Sequence, residues 1–221
     1  MRPARIWHGA LINHHDETFD RAYWEDRYSA RDLAWSGNPN PVLIFEAESL
    51  APGRALDIGS GEGADAIWLA VHGWQVTVVD IAQAALDMAR ARAETVGAEV
   101  ATRIEWQQRD LAEWAPRPQS FELVSAQFMH LPEPLRSQVF ASFARAVAPS
   151  GTLLIVGHDV SDGPDDGHRA HMRESMFSAD DVVTAIAGER LRVDVAESRL
   201  RSSAEGGKFT RDVVVRATRV A

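Results

Sequence analysis

The chain has 221 residues, with 32 acidic against 23 basic side chains, a formal net charge of -9, and no cysteine. The acidic balance argues against a nucleic-acid backbone as the main partner, and the lack of cysteine excludes disulfides, thiol catalysis and zinc–thiolate sites. No apolar stretch approaches the length of a membrane span and the N-terminus lacks the apolar core of a signal peptide, so a cytoplasmic protein is expected.

Residues 1–52 mix aromatic and charged side chains without a strand pattern. Phe19 to Tyr28 has helical spacing, the turn-rich Ser36–Pro41 ends it, and Val42 to Ser49 predicts a second helix. Pro52-Gly53 then marks the start of a regular domain over 53–221. Short apolar runs alternate there with helical segments. Strands are predicted at 54–58, 75–80, 102–108, 121–126, 152–158, 190–200 and 209–219. Helices are predicted at 64–72, 82–96, 135–147 and 179–188. Gly73 and Gly97 stand where helix C-caps take glycine, and Ser178 before Ala-Asp-Asp suits an N-cap.

Val76–Val79 and Leu153–Val156 are continuous apolar runs, as parallel strands covered on both faces require. Leu191, Val193 and Val195 alternate with Arg192 and Asp194, which suits a strand near an edge. Only Ser202 to Lys208 separate the last two strands, too few for a helical crossover, so they should pair antiparallel. The expected fold is α/β: a Rossmann-like, doubly wound sheet, mostly parallel with a C-terminal antiparallel strand.

The loop Gly59-Ser-Gly-Glu-Gly63 lies between the first strand and the first helix of that domain. Glycine is needed where the backbone turns with positive φ or where a ligand approaches the main chain. With Ala64 the loop formally satisfies G-x-G-x-x-G/A, so a dinucleotide is one reading. Asp57 argues otherwise, because a carboxylate two residues before the first glycine would face a pyrophosphate. An acid there suits a nucleoside carrying an amine. Asp80 closes the second strand, where it can accept from both ribose hydroxyls, and Ile81 can pack on a purine. Asp110, after the third strand, can accept from an exocyclic adenine amine with Leu111 against the ring. All three acids fall at carboxyl ends of adjacent strands, the crevice where open α/β sheets bind ligands.

Residues 54–160 resemble the core of class I S-adenosylmethionine-dependent methyltransferases. LDIGSGEG resembles the first motif of that family, VTVVD the second, and QRDL the acidic step after the third strand. FELVSAQFMHL and PSGTLLIVGH resemble the fourth and fifth strand regions. The lead-in AYWEDRYSARDLAWSGNPN resembles the lid of thiopurine and tellurite-resistance methyltransferases, which makes 1–52 a helical lid. The resemblance implies that Asp57, Gly59, Gly61 and Gly63 cradle the methionine part, Asp80 the ribose and Asp110 the adenine. Glu122 stands where many members carry Asp, and Ser60 where many carry Cys.

Methyl transfer from a sulfonium mainly requires alignment of nucleophile, methyl and sulfur with water kept out. Trp24, Tyr28 and Trp35 are candidates for a lid with cation–π contact to the sulfonium, and equally for the lid's own packing. Gln127 and His130 follow the fourth strand at the expected methyl position. His130 is then either a general base for a hydroxyl or amine acceptor or a packing histidine. No metal site is expected from the acidic, histidine-containing loop 157–171. The expected partner is a small-molecule acceptor (thiol, metalloid, hydroxyl or amine) of a monomer or homodimer, with no nucleic acid and no membrane. A nicotinamide-dependent oxidoreductase and a non-catalytic cofactor-binding protein are the competing readings.

Overall fold

A computed structural model describes residues 20–30, 37–161, 174–202 and 209–220. Seven strands form one sheet in the order β3-β2-β1-β4-β5-β7-β6. They are β1 (Arg54–Ile58), β2 (Gln75–Asp80), β3 (Ile104–Gln108), β4 (Phe121–Gln127), β5 (Val147–His158), β6 (Leu191–Ser202) and β7 (Phe209–Arg219). The first five run parallel, and β7 enters antiparallel between β5 and the edge strand β6. The expected sheet and its antiparallel closure are therefore observed.

Helices α1 (Arg21–Ser29) and α2 (Pro41–Ala47) precede the sheet. Helices α3 (Ala64–Val71), α4 (Gln83–Val96), α5 (Ala98–Ala101), α6 (Leu135–Ala146) and α7 (Ala179–Ile186) follow within it. Local chemistry starts several of them. Asn40 accepts from the Val42 amide before Pro41 at the first turn, and Ser178 and Asp181 form a reciprocal capping box. Two details differ from the sequence reading. The third strand starts at Ile104, because Thr102 still closes α5, a single helical turn that shows no apolar stripe. The fifth strand begins at Val147, directly after α6, and reaches register with β4 only through an irregularity between Phe121 and Leu123.

Strand alternation divides the core into two layers. Leu56, Ile58, Val124, Ala126, Leu153, Ile155, Val213 and Val215 face α6 and α7. Ala55, Val76, Val78, Leu123, Leu154, Val156 and Val214 face α2, α3 and α4. This second face carries the polar residues that matter for function.

Candidate functional site

The glycine loop is held by the neighbouring strand. The Gly59 amide donates to the Val79 carbonyl (2.8 Å) and the Gly61 amide to Asp80 Oδ2 (2.9 Å). Gly59, Gly61 and Gly63 all have positive φ, at 66°, 51° and 73°. Gly63 also has a packing reason: a Cβ there would lie 2.7 Å from Ala89 Cβ and 3.1 Å from the Trp106 ring. The third glycine thus lets α3 start against α4 and β3.

Asp57 is 1% exposed, and its Oδ2 is buried with no hydrogen-bond partner. Burial, and then the nearby Asp65 and Asp80 carboxylates, push its carboxyl well above the usual range. Asp65, in the first turn of α3, is raised to about 6 by burial, although it accepts the Asn40 amide at 2.6 Å. Burial also raises Asp80, opposed by the Ala82 and Gly61 amides on its two oxygens. Among the described residues no cation is paired with this cluster. A buried, unpartnered carboxylate is costly unless something positive or hydrogen-bonding meets it. Each Asp80 oxygen accepts one amide and keeps a lone pair for a hydroxyl.

Asp110 lies beyond β3, where its Oδ1 accepts the Ala112 amide (2.9 Å), and Leu111 packs into the core layer under α6. The Arg109 amide donates to the Asp80 carbonyl (2.9 Å), which joins the ends of β2 and β3. Ile81 is half-buried, and its carbonyl accepts from Gln108 (3.0 Å). The three expected donor-side acids therefore lie at the carboxyl ends of the adjacent strands β1, β2 and β3.

Among the described residues, the segment before the sheet is tied to the rest of the domain at four points. Glu25 of α1 accepts the Gln83 and Ala84 amides at 2.7 and 3.0 Å, at the start of α4. Arg92 donates to the Gly37 carbonyl. Asn40 donates from its amide to Asp65 and from Nδ2 to Gln127 Oε1 (2.8 Å). Glu46, 3% exposed on α2, meets Arg199 at 2.6 Å and Arg216 at 2.9 Å. Sequence reasoning passed over Glu25, Asn40 and Asp65. Only Asp65 left a signal, as an acid in the first turn after the glycine loop.

Tyr28 is buried against Ala82 and Ala85, with Trp24 packed alongside, their rings stacked 6.0 Å apart. Both rings thus sit beside the Asp80–Ala82 corner. Trp35 and most of the loop 157–171 lie outside the described residues. Gln127 joins the site, accepting from Asn40 and donating to Ser125 Oγ (2.9 Å).

His130 is placed differently. Its Nε2 accepts the His158 backbone amide at 3.0 Å, and its ring stacks on that of His158 with centroids 5.0 Å apart. Burial, and next the neighbouring His158, lower it to about 3. Its lone pair is already in use, so the geometry is that of a packed, neutral imidazole that fixes the end of β5.

Among the described residues no group of acids and histidines could hold a metal, and no helix is long and apolar enough to cross a membrane.

Comparison with known proteins matches residues 55–151 to a family described as a methyltransferase domain. The chain is 27% identical over 164 residues to a 2-heptyl-1-hydroxyquinolin-4(1H)-one methyltransferase of Mycobacteroides abscessus, covering 68% of this chain and 71% of that protein. It is 36% identical over 135 residues to a ubiquinone biosynthesis O-methyltransferase of Xanthomonas campestris, covering 60% of this chain and 54% of the relative. The chain thus spans about half the length of that second relative. Its fold is that of a geranyl diphosphate C-methyltransferase of Streptomyces coelicolor solved with S-adenosylhomocysteine. The TM-score is 0.63 at 15% identity, with 81% of this chain and 80% of that one covered.

Proposed function

We propose that this class I S-adenosylmethionine-dependent methyltransferase methylates a small hydroxylated molecule. The observation that carries the donor half is the Asp57 cluster. A buried carboxylate with an unpartnered oxygen, beside a loop of positive-φ glycines, fits the ammonium end of an amino-acid-bearing nucleoside. The methyl donor supplies an electrophilic carbon on a positively charged sulfur. The chain supplies its seat: Asp57 toward the ammonium, Asp80 toward the ribose hydroxyls, and Asp110 with Leu111 toward the adenine. Helix α1 brings Trp24 and Tyr28 against the same corner, which supports the lid reading of the segment before the sheet and its likeness to thiopurine and tellurite-resistance methyltransferases. Gln127, held by Asn40, lies at the edge between the donor and acceptor halves.

A hydroxyl acceptor is favoured because two of the relatives carry, in their names, an O-methyltransferase and a hydroxyquinolinone methyltransferase. His130 acts here as a positioning residue, since its nitrogen is committed to the His158 amide.

Calorimetric titration with S-adenosylhomocysteine and with NAD tests the donor. Binding of the first and not the second is expected, and the reverse would overturn the reading. Asp80→Ala should weaken S-adenosylhomocysteine at least about tenfold, since it removes a charged hydrogen-bond acceptor worth about 1.5–3 kcal/mol.

A further inference from the structure

On the face of the sheet turned toward α2 and α3, the polar residues climb in rows. Asp57 pairs in register with Ser125, Gln127 with Val156, and His158 with Asp212. His158 is two residues beyond Val156 on β5, about 7 Å further toward the strand ends. It thus lies just past Gln127, on the side away from the glycine loop.

His158 is built into a polar cluster. Its Nδ1 lies 3.5 Å from Asp212 Oδ1. Asp212 is 1% exposed and is paired with Arg201 at 2.6 Å. Burial would raise Asp212, but the contacts with His158 and Arg201 outweigh it and hold the carboxyl below its usual range. Phe128 packs on His158 from one side, with centroids 4.8 Å apart, and His130 stacks on it at 5.0 Å. Arg201 lies over the Phe128 ring at 5.4 Å. Nδ1 is buried and makes no hydrogen bond among the described residues, and the Asp212 carboxylate 3.5 Å away is the acceptor beside it; a neutral ring that turns its N–H toward that carboxylate keeps its lone pair on Nε2.

We propose that His158, oriented by Asp212, takes the proton of the hydroxyl acceptor. This rests on the methyltransferase reading above and assigns its acceptor half. The acceptor oxygen forms the new bond to the methyl carbon, and the carbon–sulfur bond breaks with its electron pair left on sulfur. The hydroxyl proton passes to His158 Nε2. The resulting imidazolium is stabilised by Asp212, whose charge is already balanced in part by Arg201. The charged and titratable groups around the ring are Asp212 from β7, Arg201 from β6, His130 from the loop after β4, and Asp159 next along the chain. His158 is the catalytic residue in this scheme; Asp212 and His130 are positioning residues.

The test has two arms. Nitrogen NMR of the imidazoles is run on the wild type and on Asp212→Asn. The Nδ1–H form of His158 is expected in the wild type, and a loss of that tautomer preference in the variant. A protonated Nε2 in the neutral wild-type ring, or a tautomer ratio unmoved in Asp212→Asn, overturns the assignment. In the second arm, a series of ring-substituted phenols of graded acidity is methylated with labelled S-adenosylmethionine. His158→Gln should lower kcat about 10²- to 10⁴-fold for the least acidic phenols and little for the most acidic, with KM unchanged. An equal loss across the series would overturn the base role. If no phenol is methylated, the NMR arm decides. Calorimetry with S-adenosylhomocysteine separates the two failures: loss of binding in the wild type sinks the methyltransferase reading itself, whereas intact binding with a wrong tautomer sinks only His158.

Discussion

Glu25 supplies helix α4 with the cap that its own sequence lacks. The residue at the N-cap is Ala82, which offers no side-chain acceptor, and the Glu25 carboxylate reaches across from α1 to the Gln83 and Ala84 amides. One contact therefore satisfies two orphan helix donors and docks the helix that carries Trp24 and Tyr28.

Removing that carboxylate should loosen both. Glu25→Ala is expected to cost about 1 kcal/mol, a fall of roughly 2–4 °C in Tm for a chain of this size, and to weaken S-adenosylhomocysteine. Thermal unfolding with and without the ligand checks it. An unchanged Tm would mean that α1 is held by its aromatic contacts alone.

The Asp65 carboxylate is a source of instability at neutral pH. Its folded-state pKa of about 6 lies above the unfolded carboxylate value near 3.9. The folded protein therefore binds the extra proton between those values. The associated stability is present in full below about 4 and is lost as pH rises through about 6. Asp65→Asn should accordingly be more stable than the wild type above pH 6, by about 1–3 kcal/mol, and indistinguishable near pH 4. Denaturant unfolding across that range decides. The same variant should bind S-adenosylhomocysteine less well at pH 7.5, because a negative charge that favours an ammonium is gone.

His130 works in the opposite direction. Its folded pKa of about 3 lies below the unfolded value near 6.5, so in that window the unfolded chain binds more protons. The stability it contributes is complete above about 6.5 and falls as the pH drops toward 3. His130→Gln, which can still accept the His158 amide, should lose less stability on acidification than the wild type. Parallel acid-unfolding curves for the two proteins would refute this.

Gly63→Ala should destabilise by about 1–3 kcal/mol, through overpacking against Ala89 at 2.7 Å and a left-handed backbone at φ 73°. Adding Ala89→Gly relieves the clash but not the backbone strain, so partial recovery of Tm is expected. Full recovery would show that the backbone term is negligible.

The sheet was readable in the chain because its signals are local. Buried strands announce themselves as runs such as Val76–Val79, and the alternation at Leu191–Val195 correctly marked β6 as the edge. The start of β5 was hidden by Pro149-Ser150-Gly151, which interrupts the apolar pattern while the strand continues. The candidate donor acids stood out because each lies at or just past the carboxyl end of its own strand. The contacts that complete the site could not, since their partners are far apart in sequence: Asn40 and Gln127 by 87 residues, Glu46 and Arg216 by 170. His130 shows the same limit. Its position after β4 pointed to the right corner, but its chemistry is set by an amide 28 residues later.

The antiparallel entry of β7 has a consequence for how such a protein changes partner. In a wholly parallel sheet every strand would present its carboxyl end to the ligand. Here β7 presents its beginning, so Asp212 reaches the same rim as Asp57 and Asp80 while standing 132 positions after Asp80. In the function proposed above, the acids that seat the donor fall within residues 57–110 and the acceptor side draws on residues 158–212. Substitutions in the late stretch can remodel the acceptor without altering the donor seat, which lets one half of the molecule diversify while the other stays fixed.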